Sequence, residues 1–168
     1  MGSRRPPRLR DFDYRGIHAY SLTICAFDRQ RVFESNECVQ QTLAHLLRTA
    51  GDYRFVIVAY CFMPDHVHAL VEATALDSDF LKFTSMFKQR SAYAYRSAGS
   101  GWLWQAGYYD RVLRSDETHL PVAAYIVANP LRANLCKDLR EFPFFGSERH
   151  TREELIEAVQ ANASTSRP

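Results

Sequence analysis

The sequence lacks the features that mark a membrane protein or a disulfide-stabilised secreted domain. Its 168 residues contain no apolar run of the length that spans a bilayer, which is about 20 residues. Four cysteines are widely scattered and form no CxxC pair, which argues against a zinc ribbon or a thioredoxin-type redox site. No apolar segment follows the N-terminal arginines, so a signal peptide is not indicated. These absences predict a cytoplasmic protein with reduced, mostly buried thiols and no membrane partner.

The chain also has little net charge and very little lysine. The formal net charge is +2, and arginine outnumbers lysine 18 to 3. A GC-rich genome and a phosphate-binding role both explain that ratio, so the position of the charge is the better guide. Residues 1–10 carry four arginines and no acid, and residues 80–114 carry six bases against one acid. Two basic zones on a nearly neutral chain favour a polyanionic partner such as nucleic acid.

No internal repeat or low-complexity tract divides the chain, and its length suits one well-cored domain. Proline, glycine and arginine near the N-terminus predict a basic extended arm over residues 1–16. A single catalytic domain is then expected over residues 17–162, with a frayed tail over residues 163–168.

Hydrophobic periodicity predicts an α+β fold. Strands are expected at 18–27, 55–62, 66–73 and 104–113, and helices at 38–50, 80–97, 120–127 and 151–161. Asp79 is the expected cap of the second helix, and Pro130 should end or kink the third at Asn129. The order β-α-β-β-α-β is that of the ferredoxin-like split βαβ arrangement, an antiparallel sheet with helices on one face, here followed by C-terminal helices.

Two histidines separated by one apolar residue stand directly after a predicted turn. Side chains alternate along a strand, so His66 and His68 should share a face about 7 Å apart, close enough to converge on one cation. Satisfied polar residues on a half-buried strand are the alternative interpretation. Farther along the chain, Tyr125 and Asn129 would share one face of a helix. Core packing for the tyrosine and a turn role for the asparagine are the corresponding alternatives.

Taken together, these four side chains complete a mechanism. Two imidazoles and an amide oxygen leave coordination positions open on Mg²⁺ or Mn²⁺, and a phosphodiester oxygen can take one of them. A phenol beside such a site can act as a nucleophile towards the phosphorus. The combination therefore indicates metal-assisted tyrosine chemistry on DNA.

Three segments carry a resemblance to a known family. MPDHVHAL, WQAGYYDRVLR and YIVANPLRANL occur in the order and at about the spacing found in the single-tyrosine HUH transposases, and the chain is most similar to their REP-associated tyrosine transposase branch. The similarity extends from about residue 14 to residue 145. Asp65 stands where the family usually has asparagine, and Asn134 where it usually has glycine. Asp65 either adds negative charge near the cation or only closes the turn, and we favour the turn.

The resemblance implies a metal-dependent endonuclease and strand transferase that acts on single-stranded or hairpin DNA with a short unpaired tag. Tyr125 would form a 5′-phosphotyrosine and free a 3′-hydroxyl, His66 and His68 would bind the cation, and Asn129 would be the third ligand. A nucleic-acid-binding module on the same fold that no longer cleaves is the alternative function. Relatives include monomers that act in cis and dimers that exchange their tyrosine helices. A monomer is favoured for this chain because the closer branch is monomeric, and a dimer is possible. The expected location is the cytoplasm, in association with the nucleoid.

Several basic residues are candidates for phosphate contacts. They fall in the arm, on the second predicted helix and on the last predicted strand: Arg4, Arg5, Arg8, Arg10, Lys88, Arg90, Arg96, Arg111 and Arg114. Four aromatic residues are candidates for stacking on unpaired bases, with core packing as the commoner role: Trp102, Trp104, Tyr108 and Tyr109.

Overall fold

The structure, a computed structural model, describes residues 12–165 and is organised around one antiparallel sheet. Its strands are β1 (Ala19–Cys25), β2 (Phe55–Met63), β3 (His66–Ala73), β4 (Tyr109–Val112) and β5 (Phe145–Gly146), in the spatial order β4-β1-β3-β2-β5. The helices are α1 (Asn36–Asp52), α2 (Phe80–Ser97), α3 (His119–Val127), α4 (Asn129–Arg132) and α5 (Arg152–Thr165). The first four strands lie in the ferredoxin-like order, so the predicted fold class is confirmed.

Each face of the sheet has its own hydrophobic core, because successive side chains of a strand point to opposite faces. On β3, Val67 and Val71 pack into the core formed with α1 and α2, which is rich in buried aromatic rings. Leu70 packs into the second core, formed with α3 and α5. Helices α1 and α2 thus share one face, as predicted, and the C-terminal helices cover the opposite face.

Local sequence signals explain where the helices begin and end. The Asp79 side chain accepts a hydrogen bond from the Lys82 backbone N–H, which confirms the predicted cap of α2. Ser35 caps α1 in the same way, so this helix begins two residues before the predicted start. Helix α3 ends at Val127 and a separate short helix begins at Asn129, which confirms the break expected before Pro130. Across residues 12–165, no helix has both the length and the apolar character needed to cross a membrane.

The strand predicted over 104–113 is largely wrong. Only Tyr109–Val112 pairs with β1, together with an isolated bridge between Ala26 and Trp104. Hydrogen bonds attach the loop before β4 to helix α2. The Trp104 indole N–H donates to Ser91 Oγ at 2.9 Å. The Lys88 ammonium donates to two carbonyls of the same loop, those of Gln105 and Gly107. Burial of Trp104 and the loop contacts of Lys88 thus limit strand pairing in most of this segment.

The structure adds detail near the two predicted ends of the domain. Residues 1–11 of the arm lie outside the described residues, but residues 12–16 are part of the domain. Tyr14 is buried and stacks on Tyr20 and Phe80, with its carbonyl accepting from the Phe80 N–H. At the other end, α5 continues to Thr165, which is beyond the predicted start of a frayed tail at residue 163.

Candidate active site

The two histidines lie on the central strand, on the face that α3 covers. The two-residue turn Pro64–Asp65 joins β2 to β3, and His66 is the first residue of β3. His66 and His68 point to the same side as Leu70, as the alternation predicted. Their Nε2 atoms lie 3.0 Å apart, and the His66 side chain is only 17% exposed. The sequence-predicted pair therefore converges on one point in a mostly buried position.

The second ring nitrogen of each histidine has a protein partner. His66 Nδ1 lies 2.6 Å from Asp65 Oδ1, and His68 Nδ1 lies 2.8 Å from Thr23 Oγ1. A carboxylate can only accept, so His66 donates from Nδ1 and keeps its Nε2 lone pair for another ligand. The Thr23 hydroxyl can donate or accept, so it satisfies His68 in either tautomer. The two Nε2 atoms lie within hydrogen-bond distance of each other, and each ring is oriented by a carboxylate or a hydroxyl, as metal-binding imidazoles often are.

Asp65 connects this pair to the loop that follows β1. Its Oδ2 atom forms an ion pair with Arg29 Nε at 2.8 Å, while Oδ1 contacts His66. Its backbone carbonyl accepts from the Ala26 N–H at 2.9 Å. Asp65 therefore closes the turn, as interpreted from the sequence, and also orients the first imidazole.

Burial lowers the pKa of His68 to about 4, and the nearby charges of His66, Arg132 and Arg29 act in the same direction, against the opposite effect of Asp65. The imidazole is thus neutral at physiological pH, which is the form that binds a cation. Between residues 12 and 165, no group of three or more His, Cys, Asp or Glu side chains could hold a metal ion. A further protein ligand from this region would have to be of another type, and an amide oxygen fits that requirement.

This lowered pKa gives a pH prediction. Without a bound cation, the free energy of unfolding should fall as the pH drops from about 6.5 to about 4, because His68 in the unfolded chain takes up a proton that the folded residue excludes. The full loss is of the order of 3 kcal/mol. Urea unfolding in EDTA at pH 7 and pH 5 measures it. The His68→Gln variant should lose less stability than the wild type over this interval, and an identical loss in both would contradict the assignment.

The partly buried carboxylate of Glu72, near the far end of β3, connects the start of α3 to that strand. Glu72 Oε2 lies 3.3 Å from His119 Nδ1, at the first residue of α3, and 3.0 Å from Arg149 Nη2. A helix rises about 1.5 Å per residue, so Asn129 lies about 15 Å farther along the helical axis. Four strand residues from Glu72 to His68 span about 13 Å. These two lengths are similar, and the charge of Arg132, the last residue of α4, acts on the pKa of His68.

The side chains at the junction of α3 and α4 are compatible with a place near the imidazole pair. The Asn129 Nδ2 group donates to the Ile126 carbonyl at 2.8 Å, which leaves Oδ1 as the atom suited to a hard cation. Positive charge from Arg132 lowers the pKa of His68, so the guanidinium lies near the pair. Cys61, which is paired with His68 in the β2–β3 register, has its pKa affected by Arg132 in the same sense.

Tyr125 lies on the solvent side of α3, where its side chain is 66% exposed. The Arg132 guanidinium lies over the phenol ring, 4.0 Å from its centroid, and Arg132 Nη2 donates to the Tyr125 carbonyl at 2.9 Å. The phenol ring of Tyr125 thus contacts Arg132, and among the described residues it makes no ring contact with the imidazoles. Arg132 contacts the candidate nucleophile and its charge acts on His68, although the sequence analysis did not select it.

The predicted phosphate-contact residues fall into three groups. The four arginines at positions 4, 5, 8 and 10 lie outside the described residues. Lys88 holds the loop before β4, Arg90 forms an ion pair with Asp52, and Arg111 forms an ion pair with Glu117. Arg96 and Arg114 are exposed. Contact with DNA stays a prediction for all of them, and the structure favours the exposed pair.

Three further residues of the site were missed. Strand alternation places Thr23 on the face of β1 opposite to the face that carries Leu22 and Ile24. The pairing of Thr23 with His68 depends on the β1–β3 register, which the sequence does not give. Arg132 was visible within the third motif, seven residues after Tyr125 and hence on the same helical face. Arg29 lies in a polar loop, and its sequence context gave no indication that it contacts the site.

Comparisons with known proteins agree with this architecture. The family model described as transposase IS200 like matches residues 17–129. A Haemophilus influenzae protein provisionally named a REP-associated tyrosine transposase is 23% identical over 160 residues, covering 87% of this chain and 88% of that relative. The REP-associated tyrosine transposase of Escherichia coli is 25% identical over 105 residues, covering 62% of each chain.

A solved structure described as a REP-associated tyrosine transposase bound to a REP hairpin has the same fold. It aligns with a TM-score of 0.68 at 18% identity, covering 83% of this chain and 82% of that chain. The family match contains both histidines, Tyr125 and Asn129. The chain therefore belongs to the IS200-like transposase family.

Proposed function

We propose that this transposase-family protein is a metal-dependent endonuclease and strand transferase that acts on single-stranded or hairpin DNA. The observation that carries the proposal is the convergence of His66 and His68, whose Nε2 atoms lie 3.0 Å apart while both Nδ1 atoms have protein partners. The described complex of a structural relative with a REP hairpin supports hairpin DNA as the substrate.

The residues that would hold Mg²⁺ or Mn²⁺ are His66, His68 and Asn129, the last through Oδ1. When bound, the cation would withdraw electrons from the target phosphate and stabilise the negative charge that develops on its oxygens. The protein's own contribution is orientation: Asp65 and Thr23 fix the imidazoles, and burial keeps His68 neutral.

Tyr125 would be the nucleophile. Its phenolic oxygen forms a bond to phosphorus while the bond from phosphorus to the 3′ oxygen breaks. The products are a 5′-phosphotyrosine and a free 3′-hydroxyl, and the proton gained by the 3′ oxygen balances the proton lost by the phenol. Because the number of phosphoester bonds is unchanged, another 3′-hydroxyl can reverse the step and transfer the strand.

Arg132 would bind the target phosphate between these two parts of the site. Its guanidinium already lies at the phenol ring and near His68, so it can exchange the ring for a phosphate oxygen with a small movement. We expect Arg132→Gln to lower the single-turnover cleavage rate by roughly 10²–10³-fold, the effect of losing one charge-stabilising donor. Arg132→Lys should keep part of the rate.

Arg140→Gln is the matched control for this arginine. Arg140 is an exposed arginine that pairs with Asp138 two residues earlier in a separate turn. The control should cleave at the wild-type rate. Equal rates for Arg132→Gln and the wild type, at equal DNA affinity, would contradict a role in phosphate binding.

The proposed function is tested with a labelled DNA hairpin that carries an unpaired extension. The protein should yield a covalent protein–DNA adduct on a denaturing gel in Mg²⁺ or Mn²⁺ and none in EDTA. A non-cleaving nucleic-acid-binding module would shift the hairpin on a native gel and give no adduct under any condition. That result would replace the proposed activity with the alternative.

A further inference from the structure

The two tryptophans of the chain have opposite environments. Trp104 is buried and its indole N–H is hydrogen-bonded to Ser91. Trp102, two residues earlier, is 61% exposed. A large aromatic ring gains stability from burial, so an indole left at the surface loses that contribution in the free protein. Of the aromatic residues in this segment, Trp102 is therefore the one placed to meet a ligand.

A cation accompanies the exposed indole. The guanidinium carbon of Arg96 lies 4.8 Å from the centroid of the Trp102 ring, and Arg96 is itself exposed at the end of α2. By comparison, Arg90 on the same helix is 2.6 Å from Asp52, and Arg111 is 2.9 Å from Glu117. Arg96 thus presents its charge at the surface, beside a flat aromatic ring.

The surface formed by Trp102 and Arg96 lies on the α2 side of the sheet, whereas the imidazole pair lies on the opposite face at the same end of the strands. The Leu103 carbonyl accepts from the Phe27 N–H at 2.9 Å, and the Ala26 N–H donates to the Asp65 carbonyl at 2.9 Å. Asp65 in turn contacts His66. Two short backbone connections therefore link Trp102 to the turn that orients the first imidazole.

We propose that Trp102 and Arg96 form a stacking site for an unpaired DNA base, on the α2 side of the sheet at the end that carries the active site. The exposed part of the indole offers a face for the base, and the guanidinium can bind the adjoining phosphate. Aromatic stacking tolerates any base, so this site would hold single-stranded DNA without reading its sequence. The inference rests on the proposed function, because it assumes a DNA substrate with unpaired nucleotides.

Charge favours DNA over a protein as the occupant. Of the six bases between residues 80 and 114, Arg96 is the one that lies against the Trp102 ring, so the site itself carries a positive charge that suits a phosphate. The residues directly before Trp102 are Gly99, Ser100 and Gly101, which provide no apolar surface to extend a hydrophobic interface.

The test is a binding measurement that does not depend on cleavage. The Tyr125→Phe protein in EDTA is titrated with a DNA hairpin that carries an unpaired 5′ extension, and with the same hairpin without the extension. Adding Trp102→Ala should weaken binding of the extended hairpin by about 10-fold or more, the loss expected for one stacked base, and binding of the blunt hairpin by less than about 2-fold. Trp102→Phe should restore most of the affinity.

Leu76→Ala serves as the matched control. Leu76 is also an exposed apolar residue, but it follows β3 at the strand end opposite His66. A spectroscopic readout is available as well, because Trp102 is the exposed member of only two tryptophans. The extended hairpin should quench the fluorescence of the protein, and Trp102→Phe should abolish most of the quenching.

The outcomes separate this inference from the proposed function. Equal affinity of Trp102→Ala and its parent for the extended hairpin would overturn the stacking site and leave the DNA-processing function standing. Equal losses on the extended and blunt hairpins would also overturn it, because the contact would then not require an unpaired base. Failure of the parent to bind either hairpin would overturn the proposed function and the stacking site with it.

Discussion

Replacing Tyr125 by phenylalanine should abolish the covalent protein–DNA adduct and reduce strand cleavage by at least ~10³-fold, because no other group would supply the attacking oxygen. The hydroxyl is the only group removed, and the ring that Arg132 covers stays in place. DNA affinity should therefore change by less than about 2-fold, and the thermal unfolding midpoint should be unchanged. A denaturing gel with a 5′-labelled extended hairpin measures the adduct, and filter binding measures the affinity.

Tyr93→Phe is the control, because Tyr93 is another exposed tyrosine, on α2. It should cleave like the wild type. Persistent 5′-linked adducts in Tyr125→Phe would show that a different residue attacks the phosphate.

Mixing Tyr125→Phe with His68→Ala extends the experiment to the oligomeric state. A monomer with a complete site in each chain recovers no activity, whereas a dimer that exchanges tyrosine helices recovers part of it.

Replacing either histidine by alanine should remove divalent-dependent cleavage and weaken cation binding. Each Nε2 atom is half of the convergent pair, and no third His, Cys, Asp or Glu within residues 12–165 completes a metal-binding group with it. We expect His66→Ala and His68→Ala each to lower the cleavage rate by at least ~10²-fold. Mn²⁺ titration calorimetry should show a matching loss of affinity. Undiminished cleavage by the wild type in EDTA would rule out a metal role.

Two variants calibrate the histidine experiment. His45→Ala changes a partly buried histidine on α1, against the other face of the sheet, and should leave cation binding intact. Thr23→Val removes the hydroxyl that contacts His68 Nδ1 and should lower cation affinity by about 10–100-fold, the usual cost of losing an orienting partner. The order wild type, Thr23→Val, His68→Ala in decreasing affinity would identify Thr23 as an orienting residue.

The parts of the site that the sequence predicted are those fixed by local geometry. Strand alternation placed His66 and His68 on one face, Asp79 capped α2, and Pro130 marked the break after α3. The parts that it missed depend on contacts between distant segments. Thr23 reaches His68 only through the β1–β3 register.

The loop before β4 shows the same limit more strongly. Residues 104–108 contain aromatic residues typical of a strand, yet Trp104 is drawn into the core by Ser91 of α2. Lys88, a predicted phosphate contact, also ties this loop to the helix through two carbonyls. Local propensity cannot anticipate such tertiary contacts, and here they prevent most of the segment from pairing as a strand.

The strand that carries the histidines lies in the middle of the five, with ladder hydrogen bonds to β1 and β2 on either side. Its backbone is therefore already ordered before anything binds, and a cation would meet a prebuilt pocket without a conformational entropy cost. Tyr125 and Arg132 lie instead on two short helices that meet at Ala128, a joint in which few backbone angles need to change. Motion during a reaction cycle would then occur mainly in α3 and α4, which carry Tyr125 and Arg132, while the imidazole pair on β3 stays in place.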